Sequence, residues 1–210
     1  MSAELAHLIA DVAHRAIGQK RADRRTPYIR HPERVARLVE TWLDAGMSSG
    51  LGQIDREVAV SAAYLHDVIE DTRVKPDDLL RWGVPQRVVD VVDLLSKKNS
   101  SSEPETEAYY RAVAGDDTAL FVKAADRSSN LEDALLEVRS EAPPRRWSRY
   151  ADRTRAELLP LYAHAPELQT QLEKRLRALE SALAQTAKIS RPSAGREVEG
   201  VRPRRFERPT

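Results

Sequence analysis

The run His66-Asp67-Val68-Ile69-Glu70-Asp71-Thr72 gathers an imidazole and three carboxylates within two helical turns, directly after the apolar stretch 58–65. An isolated charge beside a buried apolar run is costly unless something pairs with it. A divalent cation is one such partner. His31, just before Pro32, and Asp126, in Lys123-Ala124-Ala125-Asp126-Arg127, are candidates to complete its shell with His66 and Asp67. Adjacent residues on a helix point about 100° apart, so His66 and Asp67 can share one ion only if distant segments enclose it from the other side. Glu70 and Asp71 then remain to align a water and take its proton, the water's pKa being lowered by the cation. This reads as a metal-dependent hydrolase. Other roles exist for each residue: Asp67 and Glu70 as loop caps or partners of Arg73 and Lys75, His31 as an N-cap, Asp126-Arg127 as a surface ion pair. Their joint occurrence in this order favours the site.

The chain has 210 residues and no cysteine, so disulfides, thiolate metal sites and cysteine nucleophiles are excluded. Any metal must be held by nitrogen and oxygen, a mixed set that suits Mn²⁺, Fe²⁺ or Zn²⁺. The net charge of +1 gives no overall steering toward nucleic acid or membrane. No apolar run reaches the ~18 residues of a membrane helix, and Glu4, His7 and Asp11 stand where a signal peptide needs a basic start and an apolar core. A soluble cytoplasmic protein is expected.

The elements that must position these side chains all carry helical period. Leu5, Leu8, Ile9, Val12, Ala13, Ala16 and Ile17 form one apolar face ending at Gly18, followed by a polar loop from Gln19 to Thr26. Pro32 suits a first helical position, which puts His31 at the cap of a helix with Val35, Leu38, Val39, Trp42 and Leu43 inside. A helix is expected from about Asp55 to Asp71, with Val58, Ala62, Leu65 and Ile69 as its buried stripe. Further helices are expected over Asp77–Trp82, Gln86–Leu95, Tyr109–Val113 and Ala119–Leu136, then from Pro143-Pro144 to about Leu161, with a mobile Ser-rich stretch from Lys97 to Glu105. After Pro166, Leu168, Leu172, Leu176, Leu179 and Leu183 make an amphipathic stripe. That stripe is expected to pack back on the domain; a homo-oligomeric seam is the alternative. From Ile189 the composition is that of a disordered basic tail. Its interspersed Glu and Pro and single aromatic, Phe206, argue against nucleic acid as a partner.

Four segments carry a resemblance: Gly18-Gln19-Lys20-Arg21, Thr26-Pro27-Tyr28-Ile29-Arg30-His31-Pro32, Ala62 to Thr72, and Val122-Lys123-Ala124-Ala125-Asp126-Arg127-Ser128-Ser129-Asn130-Leu131. In this order they resemble the HD superfamily of metal-dependent phosphohydrolases, in particular RelA/SpoT hydrolase domains and small stand-alone (Mesh1-like) alarmone hydrolases. The resemblance covers roughly residues 5–160 and implies an all-α HD-domain helical bundle; with the period and composition read above, the domain is expected over 1–165, a C-terminal helix over 166–188 and a tail over 189–210. It implies one Mn²⁺-like ion on His31, His66, Asp67 and Asp126, with Glu70 and Asp71 serving the attacking water. The implied substrate is ppGpp or pppGpp, losing its 3′-pyrophosphate to leave GDP or GTP. Asn130 and Arg21 match nucleotide contacts, Arg146 and Tyr150 a basic–aromatic pair lining the pocket, and Lys123 and Arg127 would neutralise phosphate. Arg forks onto phosphate, and Tyr offers a ring face and a hydroxyl.

Three departures from the family pattern bear on substrate: Ala22 in place of a second basic residue, Ser128-Ser129 in place of a bulkier pair, and Glu132 where Arg is common. They keep open an HD hydrolase for another nucleotide or dinucleotide phosphate. A non-catalytic nucleotide sensor is the third reading, opposed by the intact Glu70-Asp71 pair.

Overall fold

The computed structural model describes residues 2–97, 103–140 and 145–189. Ten α-helices follow in order among them: α1 (Ala3–Ala16), α2 (Arg30–Asp44), α3 (Arg56–Leu65), α4 (Val68–Asp71), α5 (Pro76–Arg81), α6 (Gln86–Leu95), α7 (Glu103–Ala114), α8 (Asp117–Ser140), α9 (Arg145–Arg153) and α10 (Pro166–Ile189). A π-helical turn (Thr154–Leu158) and a 3-10 turn (Leu159–Tyr162) join α9 to α10. No strand occurs among the described residues; an isolated bridge, Lys20 to Pro27, pinches the loop after α1. The fold is all-α, as expected. The expected tail lies outside the described residues from 190 onward, as do residues 98–102 of the Ser-rich stretch, while Glu103–Glu105 already belong to α7.

Helix α3 runs through the centre. Its Ala59, Val60, Ser61, Ala62, Ala63 and Leu65 are buried, and α1, α2, α6 and α8 all pack on it. Small side chains allow that crowding, because neighbouring backbones approach closely only where little projects. Helix α8 is the second axis: Ala119, Leu120, Phe121, Val122, Ala124 and Ala125 are fully enclosed, and α2, α7 and α10 lie against it. Trp42 of α2 meets Phe121 edge to face at 6.2 Å.

Helix α1 corrects one expectation. Its inward face is Ala6, Ile9, Ala10 and Ala13, while Leu8 (56%), Val12 (58%) and Ile17 (44%) stay exposed. The helix rolls its alanines inward for close contact with α3, leaving the larger side chains along a surface groove with Val74 and Trp82. The leucines of α10 behave as expected of a helix packing back: Leu168, Leu172, Leu176 and Leu179 are fully buried. Leu168 and Leu172 join the main core, and Leu176, Leu179 and Ala182 form a second cluster with Leu131, Ala134 and Val138 of α8. The leucine face that an oligomeric seam would use is therefore covered within the chain.

Candidate metal centre

Helix α2 begins at Arg30, so His31 lies in its first turn and not at the cap; Ile29 holds that position. The amides of Arg30 and His31 bond back to Pro27 and Tyr28, and Pro32 follows where a missing N–H costs nothing. The expected continuous helix from Asp55 to Asp71 is interrupted at His66-Asp67, between α3 and α4. Asp67 sits at φ −98°, ψ −5°, the sparsely used bridge region between helix and strand where site residues are common. The interruption turns both side chains toward α2 and α8. Helical period cannot signal it, because α4 resumes at once with Asp71 N–H on the Asp67 carbonyl at 2.8 Å.

Donor atoms of His31, His66 and Asp67 lie within 4.8 Å of one another. His66 Nε2 stands 3.2 Å from His31 Nε2 and 2.9 Å from Asp67 Oδ2. Asp126, from the middle of α8, brings Oδ1 to 3.2 Å from His31 Nε2 and 3.7 Å from His66 Nε2. The four side chains expected as ligands thus converge from α2, the α3–α4 break and α8.

The chemistry of this set fits a cation. His66 Nδ1 donates to the Ala63 carbonyl at 2.8 Å, and His31 Nδ1 shares a hydrogen bond with Ser129 Oγ at 3.1 Å. Both Nε2 atoms turn toward each other and toward two carboxylates, a crowding of electron-rich atoms that positive charge, as a proton or a cation, relieves. Ligands held about 2.1 Å from a common centre stand about 3.0–3.4 Å apart, close to the spacings here. The electrostatics agree. Burial opposes an imidazolium at His66, yet Asp67 and Asp126 outweigh it and raise its pKa well above the usual histidine range. Burial likewise opposes charge on Asp126, but Lys123 and the two imidazoles hold it well below the usual carboxylate range. The pocket draws a positive charge.

The surroundings fix the ligands in turn. Tyr28, three residues before His31, donates its hydroxyl to Asp67 Oδ2 at 2.6 Å. Lys123 and Asn130, one turn either side of Asp126, donate to its Oδ2 (2.9 Å) and Oδ1 (2.6 Å). Tyr28 and Ser129 carry no mark of these roles in the sequence beyond their one-turn offsets from His31 and Asp126.

Glu70 and Asp71 diverge. Glu70 lines a small cavity, its Oε2 accepting from the Lys97 amide at 2.8 Å, and burial pushes its pKa up. Asp71 accepts from Gln19 on another side at 2.8 Å.

Two cavities are lined by residues that bond to the donor set, Tyr28 and Asn130 in one and Lys123 in the other. The larger, about 790 Å³, is lined by Arg21, Arg34, Asn130, Asp133, Arg146 and Trp147 among others. Arg21 and Arg34 share the Asp133 carboxylate, and Arg21 also lies over the Tyr28 ring at 5.5 Å. Asp23 builds the loop that carries Arg21: it accepts from the Thr26 hydroxyl and the amides of Arg25 and Thr26, which hold its pKa down to about 2. The smaller cavity, about 150 Å³, is lined by Glu70, Lys97, Lys123, Arg127, Tyr150 and Arg153, with Tyr109 and Tyr110.

Arg146 and Tyr150, expected to line one pocket together, line different cavities. Arg146 turns outward to Glu137 and onto the Trp147 face, while Tyr150 tucks under the Arg127 guanidinium at 4.3 Å. Arg127, expected to neutralise phosphate, is buried with its Nη groups on Thr154 and Tyr110. Glu132 turns from both cavities to Arg175 of α10 at 2.8 Å, so this departure brings no acid to the substrate side. Ser128 and Ser129 are fully buried behind the donor set.

Comparison with known proteins agrees with this geometry. The HD domain family model matches residues 28–157. Mouse guanosine-3′,5′-bis(diphosphate) 3′-pyrophosphohydrolase Mesh1 is 33% identical over 157 residues, covering 71% of this chain and 79% of that protein. The human protein of the same name is 32% identical over the same coverage. A probable guanosine-3′,5′-bis(diphosphate) 3′-pyrophosphohydrolase of Synechocystis is 35% identical over 126 residues, and the chain spans only 15% of its length. A solved structure, described as a metazoan ortholog of SpoT that hydrolyzes ppGpp and plays a role in starvation responses, superposes with a TM-score of 0.66. It covers 86% of this chain and 96% of its own at 21% identity, a likeness of fold. The chain belongs to the HD-domain family of hydrolases.

Proposed function

We propose that this protein removes the 3′-pyrophosphate of guanosine polyphosphate alarmones, ppGpp and pppGpp, leaving GDP or GTP in the cytoplasm. The observation that carries the reading is the convergence of two imidazole nitrogens and two carboxylates, with one large and one small cationic cavity reached through Asn130 and Lys123, which both bond to Asp126. The names of the Mesh1 relatives supply the substrate.

His31, His66, Asp67 and Asp126 would hold one divalent cation, with Mn²⁺ as our choice over Fe²⁺ or Zn²⁺. When bound, such an ion supplies Lewis-acid polarisation of a phosphate and lowers the pKa of water. The remaining work belongs to the chain. Tyr28, Lys123 and Asn130 keep the two carboxylates oriented. Glu70, with its raised pKa, takes a proton from the attacking water and returns it to the departing 3′-oxygen. Asp71 acts on the arrangement from the Gln19 side. The larger cavity has the volume of a nucleotide site. Its Arg21 and Arg146 would meet base or 5′-phosphates, with Asn130 at the sugar. Residues 1–165 form the hydrolase domain in this reading, and the helix over 166–188 braces it from the α8 side.

The test is product analysis of ppGpp incubated with the purified Mn²⁺-loaded chain. Equal amounts of GDP and pyrophosphate are expected, with turnover lost in His66→Ala and Glu70→Gln. Intact ppGpp, or full turnover by both variants, overturns the reading.

A further inference from the structure

We propose that His14 is a positioning residue of the metal centre, holding Asp71 through Gln19 and Asp67 through Tyr28; this rests on the function proposed above. The clasp begins in the backbone. Helix α1 ends in a Schellman motif: Gly18 takes φ +67°, its amide bonds to the Arg15 carbonyl at 2.9 Å, and the Gln19 amide returns to the His14 carbonyl at 3.0 Å. Glycine meets that left-handed turn without the strain a Cβ would bring. The turn folds Gln19 back over His14, and their side chains bond as well, His14 Nδ1 to Gln19 Oε1 at 2.7 Å.

The far end of this chain of bonds fixes its polarity. The Asp71 carboxylate can only accept, so Gln19 turns its amide nitrogen to Asp71 Oδ2, at 2.8 Å. The Gln19 carbonyl then faces His14, and Nδ1 must be the donor. Burial holds the His14 pKa below the usual histidine value, so the ring is neutral and its Nε2 is bare. That nitrogen is buried with no hydrogen-bond partner among the described residues. An apolar ring would fill the same space without leaving a polar atom dehydrated, so packing alone gives no reason for a histidine here. The bond from Nδ1 does.

The face of the ring makes the second contact. It lies 4.6 Å from the Tyr28 ring at 46°, and Tyr28 donates its hydroxyl to Asp67 Oδ2 at 2.6 Å. Asp67 caps α4 and Asp71 ends it, so the two carboxylates leave opposite ends of a single turn. His14 touches the support of each, one through a hydrogen bond and one through a ring face.

Two substitutions separate the contacts. His14→Phe keeps a ring on Tyr28 and removes the donor; His14→Asn keeps an N–H near the place of Nδ1 and removes the ring. In His14→Phe, kcat for ppGpp should fall about tenfold, the scale of one lost hydrogen bond in a buried chain, with KM and Mn²⁺ affinity unchanged. Gln19→Leu should lower kcat as much and the double variant no further, since both cut one chain. His14→Asn should restore kcat and instead lower Mn²⁺ affinity about tenfold, the low end for loss of a contact behind a ligand. Without any substrate, nitrogen-15 resonances of the full chain loaded with diamagnetic Zn²⁺ should place the His14 proton on Nδ1. A proton on Nε2, equal Mn²⁺ affinities in the Phe and Asn variants, or additive losses of kcat in the double variant each overturns the positioning role. If wild type leaves ppGpp intact, the proposed function falls, and the place of the proton with the two Mn²⁺ affinities still decides this one.

Discussion

Ser128 and Ser129 are adjacent on α8 and equally buried, yet replacing each by alanine should have opposite consequences. Ser129 Oγ is hydrogen-bonded to His31 Nδ1 at 3.1 Å, whereas Ser128 Oγ is buried without a hydrogen-bond partner among the described residues. With Nε2 turned to the ion, Nδ1 carries the proton, and Ser129→Ala leaves it facing an enclosed wall, since the imidazole is 1% exposed. An unsatisfied buried donor costs about 1–3 kcal/mol, which is roughly 5- to 150-fold in an equilibrium constant. The imidazole escapes that cost by rotating or moving its proton to Nε2, and either removes a ligand lone pair. Loss of such a supporting bond typically weakens metal affinity about 10–100-fold, so Mn²⁺ affinity, read by competition with a fluorescent chelator, should fall by that factor. Ser128→Ala removes a hydroxyl that gains nothing from burial. It should leave Mn²⁺ affinity unchanged and the unfolding free energy equal or higher by up to about 1–2 kcal/mol. Wild-type affinity in Ser129→Ala would refute the reasoning. So would equal losses in both variants, because packing of the segment would then be the cause.

Three further outcomes follow from the same geometry. Leu172→Ala should cost about 2–5 kcal/mol in chemical denaturation, because Leu172 is fully buried between α10 and the main core; a loss below about 1 kcal/mol contradicts α10 as part of the core. Glu70 must be ionised to accept a proton and burial raises its pKa from 4.5, so activity should fall on acidification through a limb above pH 4.5; a limb below that value removes Glu70 as the base, and Glu70→Gln should abolish the limb with turnover. Asp23, held at about 2, has a depressed pKa, so its support of the Arg21 loop is complete above the ordinary 3.8 and fades as pH drops toward 2. Asp23→Ala should raise KM for ppGpp about 3- to 10-fold with kcat retained, and an unchanged KM contradicts a substrate role for that loop.

Much of this was legible in the residues. Helix α6 runs over Gln86–Leu95 as its period and its flanking Pro85 indicate, and the four expected ligands meet although His31 and Asp126 are far apart in the chain. What escaped depends on tertiary contact. The interruption at His66-Asp67 leaves no mark, because the apolar period is the same for one helix or two in series. The apolar period of α1 takes in Leu8, Val12 and Ile17, whereas close packing on α3 favours Ala6 and Ala10, with Ile9 and Ala13 common to both. Arg146 and Tyr150 lie four apart, yet Glu137 and Arg127 pull them to different walls. Glu132 looked like an acid beside a polyanion until α10 supplied Arg175, forty-three residues away.

The central claim is that side chains from three separate segments hold a single divalent ion. Titration of metal-stripped protein with Mn²⁺, followed by loss of the free-ion electron paramagnetic resonance signal, tests it without reference to any substrate. One ion per chain is predicted, with affinity lost in His31→Ala and Asp126→Ala as fully as in His66→Ala. Undiminished binding after removal of His31 or Asp126 would mean that the ion, if any, sits elsewhere.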